Sequence, residues 1–465
     1  MPKVRPALLR GFDQEYLPQE QIQFNALVDA IRASFELYGF LPIETPAAER
    51  KEILTSKGGV EKEIYALARL AAESDDEAAT KGALHFDLTV PLARYVAMHE
   101  RELAFPFRRY QIQKVWRGET PQARKGRFRE FYQCDIDIIN RDKLSYLAEA
   151  EIPSVIYRVF TRLGIGAFRI RINNRKVLKG LLERFEVAED AAPAVLRALD
   201  KIEKEERPAV LAELGRAGTR EAAARGLYEF VSAPRDTGAA LDALAEVAAR
   251  SEAGRAGLGE LKQVVAAIRA FGVPESAFGV DLKVVRGLDY YTGTIYETTL
   301  DGHPELGSIC SGGRYDDLAG YFTDTRLPGV GISIGLTRLF SRLKEAGLLR
   351  TPARTPAEVF VAAMDHRYLD AYLGIAASLR EAGINTELYL EEARLKNQLA
   401  YADRKGFRVA VIAGEDEIRR NAVQVKNLVA KTAAEHPLAE LVPAVSEALR
   451  QSRQRADAGA APGGT

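Results

Sequence analysis

Residues 107–139 hold a dense collection of side chains suited to binding a phosphorylated ligand. Two runs, FRRYQIQKVWRGE ending at Glu119 and FREFYQCDIDII starting at Phe128, alternate apolar with polar residues, the period-two pattern of a β-hairpin. In the second run Tyr132, Cys134, Ile136 and Ile138 share one face, and Phe131, Gln133, Asp135 and Asp137 share the other. In the first, Gln111, Gln113 and Arg117 have one parity, so one pairing of the strands sets Arg117 beside Gln133 and Asp137 on a polar pocket floor. The intervening TPQARKGR places Arg124, Lys125 and Arg127 at a turn, where extended basic side chains suit a polyphosphate or a nucleic-acid backbone. Two more arginines stand in glycine-punctuated runs far along the chain, Arg286 in VVRGLDYYTG and Arg338 in GLTRLF. A guanidinium forks onto phosphate oxygens and stays charged at every working pH. Arginines projecting from an antiparallel sheet are therefore a route to nucleotide binding in a chain with no GxxxxGK[ST] loop, no GxGxxG after a strand and no HExxH helix.

The elements that must position these groups follow from periodicity. Phe24, Leu27, Val28, Ile31, Phe35 and Tyr38 form a helical stripe over 20–38, and the proline-marked GFLPIETPAAE continues as an extended segment. Residues 66–82, rich in Ala and acid, read as a surface excursion, after which HFDLTVPLARYV returns to a sheet and a helix. A helix and then a strand are expected over 140–172, and the Ala-, Leu-, Glu- and Arg-rich stretch 175–278 is helical throughout. The sheet resumes at Val280 and ends in PGVGISIGLTRLFSRLKEAG, a strand running into a helix. RTPARTP, 350–356, is a linker. Beyond it EVFVAAM, TELYL, RVAVIAG and VQVKNL alternate with helices, the last near 437–450, as a small α/β domain, and residues 451–465 read as a disordered tail.

At 465 residues and 47% hydrophobic content the chain has material for two or three domains. Its N-terminus lacks an apolar signal core and no apolar run approaches the ~18 residues that span a bilayer. Cys134 and Cys310 have neither metal-ligand spacing nor the look of a disulfide framework, which suits a reducing cytoplasm. Equal numbers of basic and acidic residues, 65 each, argue against non-specific coating of nucleic acid, although residues 101–129 carry nine Lys or Arg against two Glu.

The run WRGETPQARKGRFREFYQCDIDI resembles motif 2 of the class II aminoacyl-tRNA synthetases in its histidyl form, and VVRGLDYYTGTIYE and SGGRYDDLAGYF resemble the histidine-specific signatures of that family. The helix, strand and proline pattern near the N-terminus is similar to motif 1, which builds the family's dimer interface, and PGVGISIGLTRLF is similar to motif 3. The resemblance implies an α+β fold: a mixed, mainly antiparallel sheet flanked by helices, a helical insertion, and a C-terminal α/β anticodon-binding domain. The divisions are then a catalytic domain over 1–174 and 279–349, an insertion over 175–278, the linker, and an anticodon-binding domain over 357–450. The implied activity is histidine–tRNA ligation, with L-histidine, ATP and tRNA(His) as substrates, Mg²⁺ on the ATP phosphates and no metal assigned to protein side chains, in a cytoplasmic homodimer.

By the same resemblance Arg117 contacts the α-phosphate and the amino-acid carboxylate, Arg127 and Arg338 clamp the β- and γ-phosphates, Phe131 stacks on adenine and Glu119 contacts the adenine or ribose. Arg286 takes the α-phosphate position where many class II relatives place a metal ion. Asp87, Leu88 and Thr89 of FDLT, with Arg117, Gln133, Asp137 and Arg286, belong to the histidine site, and Tyr290 and Tyr291 to its imidazole side. Lys114, Arg124 and Lys125 are candidates for the acceptor stem, and Lys396, Gln398, Arg404 and Lys405 for contacts in the last domain. The glycines of SGGRYDDL permit close backbone approach, and Arg314 pairs internally. FDLT marks one branch of the family against another with a PEGT-like stretch, and the motif 2 loop is longer than in that second branch. Two non-enzymatic readings of the same fold stay open: a histidine-sensing regulatory subunit, which typically lacks the anticodon domain and the ATP-binding arginines, and a module that senses uncharged tRNA, which is accompanied by a kinase.

Overall fold

The computed structural model describes residues 4–56, 61–69, 81–122, 126–286, 290–317, 319–349 and 353–459. The chain divides into two compact units, Met1–Gln14 with Leu27–Leu349, and Glu15–Ala26 with Arg350–Thr465.

The larger unit is built on a sheet assembled from distant parts of the chain. After α1 (Pro18–Glu36) come β1 (Leu41–Pro42), β2 (Ala48–Arg50), α2 (Lys51–Leu54), β3 (Gly82–Leu84) and α3 (Thr89–Met98), with β2 and β3 forming a separate ribbon. The hairpin follows as β4 (Phe107–Trp116) and β5 (Glu130–Ile139), then α4 (Tyr146–Leu163) and β6 (Phe168–Asn174). The expected helical stretch consists of α5 (Arg175–Arg184), α6 (Ala192–Leu199), α7 (Arg207–Arg216), α8 (Glu221–Ser232), α9 (Thr237–Ala248) and α10 (Glu252–Ala270). The sheet closes with β7 (Phe278–Val280), β8 (Thr294–Leu300), β9 (Ser308–Tyr315) and β10 (Gly329–Gly335), and α11 (Leu336–Glu345) ends the unit. Among the described residues the strand order is β1-β4-β5-β10-β9-β8-β6-β7, parallel only at β1/β4 and β6/β7.

The hairpin strands are buried on both faces. Cys134, Ile136 and Ile138 point into the core, while Gln133, Asp135 and Asp137 are buried on the opposite face, so that face is covered without being apolar. Helix α4 supplies part of the core: Ser145 caps it by accepting from Leu147 N at 3.2 Å, and Ile152, Val155, Ile156, Val159 and Phe160 form its buried stripe. Of the expected extended segment after α1, only Leu41–Pro42 pairs with the sheet, in parallel with β4. Residues 70–80 of the expected excursion lie outside the described residues.

The smaller unit contains β11 (Val359–Val361), α12 (Leu369–Glu381), β12 (Thr386–Leu388), α13 (Leu395–Lys405), β13 (Val409–Ile412), α14 (Glu415–Arg419), β14 (Ala422–Asn427), β15 (Thr432–Pro437) and α15 (Leu441–Gly459). Its strand order is β12-β11-β13-β14-β15, parallel over the first three and antiparallel thereafter. Two departures from the sequence reading occur here. TAAEHP forms the edge strand β15, and the stretch read as a disordered tail from 451 instead continues α15 to Gly459. Ser452 is fully buried and donates to Asn427 Oδ1 at 2.9 Å, and Arg453 pairs with Glu358; these contacts anchor a segment that composition alone marks as loose.

Candidate active site

The hairpin register sets the polar face. Gln113 lies opposite Gln133, Gln111 opposite Asp135 and Arg109 opposite Asp137. Just beyond β4, Arg117 is held by two acceptors: its Nε donates to Phe86 O at 2.9 Å and its Nη2 to Gln133 Oε1 at 3.4 Å. The expected approach of Arg117 to Gln133 is therefore present. Asp137 has a different cation, Arg109, whose Nη2 lies 2.6 Å from Asp137 Oδ2 and whose side chain is 0% exposed. The parity of Arg109 with Gln111 carried that signal, but an arginine in a basic cluster reads as a solvated one. Gln111 and Gln113 are tied to Thr45 through its Oγ1 and its backbone carbonyl, at 3.0 and 2.7 Å.

A cleft of about 690 Å³ opens over this face, lined among others by Arg117, Glu119, Arg127, Phe131, Gln133, Arg286 and Arg338. That volume is in the range of small-molecule sites. The arginines come from three places. Arg117 and Arg127 flank the hairpin loop, Arg286 precedes β8, and Arg338 is on the first turn of α11. Arg338 is crowded: burial foremost, and then the charges of Arg127, Arg286 and Arg342, pull its pKa below the ordinary guanidinium value. Its Nε is buried without a hydrogen-bond partner among the described residues, and its Nη2 donates to Leu306 O at 3.4 Å. Like charges gathered in one concavity are costly until an anion neutralises them, so the arrangement favours a highly charged ligand. Arg342 is a cleft residue the sequence reading missed; it follows Arg338 by four positions on α11, the spacing of one helix face. Arg286 is tethered through its Nε, 2.7 Å from Glu297 Oε1. Gly126 (φ +64°) permits the loop's approach to Arg338, since a Cβ there would fall 2.7 Å from Arg338 Cγ.

Deeper along β5, Thr89, Asp135, Asp137, Tyr290, Tyr291, Tyr315, Gly331 and Ser333 surround a small cavity of about 30 Å³. Tyr290 and Tyr291 meet edge to face, centroids 5.1 Å apart at 79°. Tyr315 OH donates to Asp137 Oδ1 at 2.7 Å, and Gln133 Nε2 donates to Ser333 Oγ at 2.6 Å. Burial pushes Asp135 up to about 7 and Asp137 to about 6, against the opposing pull of Arg109 in both cases. Burial and the charge of Asp137 likewise raise both tyrosines above the phenol range. Asp87 contributes its charge to this group while its Oδ1 accepts from Val90 N at 3.0 Å as a cap on α3. Leu88 is fully buried and brings no polar group. Asp135, Tyr315 and Ser333 were not among the expected ligands, although Asp135 shares the parity of Gln133 and Asp137.

These two adjoining sites sit in a chain with extensive relatives. A family model described as histidyl-tRNA synthetase matches residues 13–339, and one described as anticodon binding domain matches 358–448. The histidine–tRNA ligase of Xanthomonas axonopodis pv. citri is 47% identical, with 99% of each chain covered, and that of Xanthomonas oryzae pv. oryzae is 49% identical over 92% of this chain and 94% of the other. The crystal structure of histidyl-tRNA synthetase from Nostoc sp. PCC 7120 superposes with a TM-score of 0.87 at 41% identity, covering 96% of this chain and 100% of that one. The chain belongs to the histidyl-tRNA synthetase family. Membership makes it a class II ligase that joins an amino acid to tRNA at the expense of ATP, and histidine is the family's amino acid.

The remaining residues singled out by comparison with histidyl-tRNA synthetases divide by what they touch. Arg124 and Lys125 lie outside the described residues. Lys114 pairs with Glu130 at 2.7 Å, and Arg314 pairs with Glu149 and Asp316 at 2.7 and 3.1 Å, spending its charge within the fold as expected. In the smaller unit Lys396 and Arg404 are exposed on α13, and Lys405 pairs with Glu387 at 2.9 Å. Gln398 is fully buried, with its amide bonded to Ala363 O, Ala363 N and Ala393 O, so it serves the backbone and not an RNA. Cys134 and Cys310 are buried free thiols. No helix is long and apolar enough to cross a membrane among the described residues.

Proposed function

We propose that this chain activates L-histidine with ATP, releasing pyrophosphate, and then passes histidine from the adenylate to the 3′ end of tRNA(His). The observation that supports the assignment of roles is the gathering of Arg117, Arg127, Arg286 and Arg338 on one cleft that adjoins a polar, aromatic-walled cavity. The reaction is an in-line attack of a histidine carboxylate oxygen on the α-phosphorus: one O–P bond forms, the bond to the bridging oxygen breaks, and pyrophosphate leaves. Negative charge spreads over phosphoryl oxygens in the transition state, so fixed cations are the main catalytic requirement. The carboxylate is already ionised near neutral pH, and no general base is needed for this step.

Arg117, braced by Phe86 O and Gln133 on the wall of the cleft, suits the carboxylate and the α-phosphate together. Arg286, fixed by Glu297, supplies a second charge at the α-phosphate. Arg127 and Arg338 hold the β- and γ-phosphates, Phe131 offers its face to adenine, and Glu119 the ribose or base. Thr89, Gln133 and Asp137 with Asp87 take the amino-acid end, and Tyr290 and Tyr291 flank the ring. Among the described residues no group of three His, Cys, Asp or Glu is placed to cage a metal, and the cleft is rich in guanidinium. Mg²⁺ would enter as a companion of ATP, held through the phosphates that Arg127 and Arg338 bind, and would neutralise charge on the leaving group. A second copy of the chain fits against the segment following α1, where Leu37 and Leu41 are 62% and 58% exposed beside the edge of the sheet. A cytoplasmic setting accords with the two buried thiols.

Histidine-dependent exchange of labelled pyrophosphate into ATP tests the reading. The parent should catalyse it. Arg286→Ala should reduce its turnover by about 10²–10³ while histidine affinity, measured by equilibrium dialysis, stays within about threefold. Glu297 keeps Arg171 at 3.3 Å as a second partner, so the buried carboxylate is not orphaned in that variant. Equal losses in binding and turnover would contradict the assigned role, and absence of exchange in the parent would point to a regulatory relative.

A further inference from the structure

Glu297, which tethers Arg286, is a buried carboxylate on β8 with a second cation: its Oε2 lies 3.3 Å from Nη1 of Arg171 on β6. Strand pairing enforces this contact, since Arg171 and Glu297 stand opposite each other in the β6/β8 register. Arg171 is itself buried and fixed. Its Nε donates to Asp281 Oδ2 at 2.8 Å and its Nη1 to Glu203 Oε2 at 2.8 Å. Asp281 follows β7, the parallel neighbour of β6, and Glu203 comes from the turn between α6 and α7 in the helical stretch. Lys283 joins the same cluster, 3.2 Å from Glu203 and 3.8 Å from Asp281. Of these six charged residues only Arg286 lines the nucleotide cleft.

A buried carboxylate between two guanidiniums divides itself between them. With Oε2 engaged by Arg171, Glu297 meets Arg286 at Oε1. Without Arg171, Arg286 would be the cation left to both oxygens, and a guanidinium closes its fork on a carboxylate whose two oxygens are free. A fork spent on Glu297 is withdrawn from the α-phosphate. We propose that Arg171 is a positioning residue for adenylate formation, occupying one oxygen of Glu297 so that Arg286 stays presented to the nucleotide. The inference rests on the adenylation reading, in which Arg286 meets transition-state charge and Arg171 touches neither substrate. Misplacing such a group by ~1 Å costs on the order of 10²-fold in rate, so an arginine outside the cleft has leverage on the chemical step.

The test is histidine-dependent pyrophosphate exchange by the full-length enzyme, run as a double-mutant cycle between Arg171 and Arg286. Arg171→Met should lower kcat about 10- to 100-fold, with KM for histidine and for ATP within about threefold, because the lost geometry serves the transition state. In an Arg286→Ala background the same substitution should cost no more than about twofold, since no side chain remains to be aimed. A merely structural arginine would cost the same in both backgrounds, and that result, or an unchanged kcat in folded Arg171→Met, overturns the inference. Arg171→Met combined with Asp281→Asn removes one buried charge of each sign and covers the case in which the single variant does not fold; its loss of kcat should again require Arg286. Glu203→Gln weakens only the contact with the helical stretch and should leave kcat within about twofold. A loss equal to that of Arg171→Met would mean that Arg171 acts by seating the helices and not through Glu297, and the inference falls. Failure of the parent to support any histidine-dependent exchange instead refutes the adenylation reading on which it stands.

Discussion

Two neighbouring carboxylates in a buried cavity are held at a disadvantage until a cation or a donor arrives. Asp135 has Asp137, Asp87 and Cys310 as its acidic neighbours and Arg109 as the cation opposing them, and burial pushes it up to about 7. In the unfolded chain an Asp titrates near ~4. A raised acid pKa means that the folded state holds the proton more tightly, so this residue's contribution is most favourable below the unfolded value and is lost as pH rises through the folded one. Asp135→Asn has no proton to lose. Without ligand it should be more stable than the parent at about pH 8, with the advantage shrinking across the window and gone near pH 4. Urea denaturation of both proteins across that range checks this, and a difference that does not vary with pH contradicts it. Much of the site was legible at this scale because residue type and strand parity together place Gln133, Asp135 and Asp137 on one face. Arg109 was not, because nothing local separates a buried arginine from its solvated neighbours in the 101–129 cluster; only the strand register opposite Asp137 reveals it.

At the scale of elements, the site depends on β10 lying between β5 and β9 with almost no side chain on one face. Gly331 pairs with Asp137 on one side and Gly313 on the other. A Cβ at Gly331 would fall 2.1 Å from Asp137 Oδ1 and 2.5 Å from Ile136 O, so the glycine makes room for the carboxylate. Gly331→Ala should displace Asp137 from Tyr315 and Arg109, raise the histidine KM by about tenfold or more, and lower stability by about 1–3 kcal/mol. The ATP KM should stay near the parent value, since the cleft arginines come from other segments; matching increases in both constants would show that the cavity and cleft are not separable. The hairpin and the helical stretch were readable because alternation and helical periodicity are local signals. The order β5-β10-β9-β8-β6 was not, because these pairings join residues from opposite ends of the larger unit and leave no local trace. Edge strand β15 escaped for a different reason: TAAEHP is almost wholly exposed and has no alternation of apolar and polar residues.

For the whole molecule, zero net charge conceals a division of labour between two units, one holding the arginine cleft and the other the α/β sheet matched by the anticodon-binding model. Composition gave no hint of RNA, since opposite charges elsewhere cancel the local basic surfaces. In the smaller unit two basic residues near α13 already have partners, Lys405 in Glu387 and Arg408 in Glu358. Lys396 and Arg404 remain exposed near the two ends of α13 and are the cations there best suited to tRNA phosphates. Pyrophosphate exchange does not require tRNA, whereas transfer does, so the two activities separate the units. The double variant Lys396→Ala, Arg404→Ala should keep the parent's exchange rate, raise the KM for tRNA(His) in aminoacylation about five- to tenfold, and reduce the salt dependence of that KM by about two ions. Charging assays over a series of salt concentrations measure both effects. A variant with the parent's tRNA KM and salt slope would mean that α13 presents a solvated face and that the smaller unit meets tRNA elsewhere.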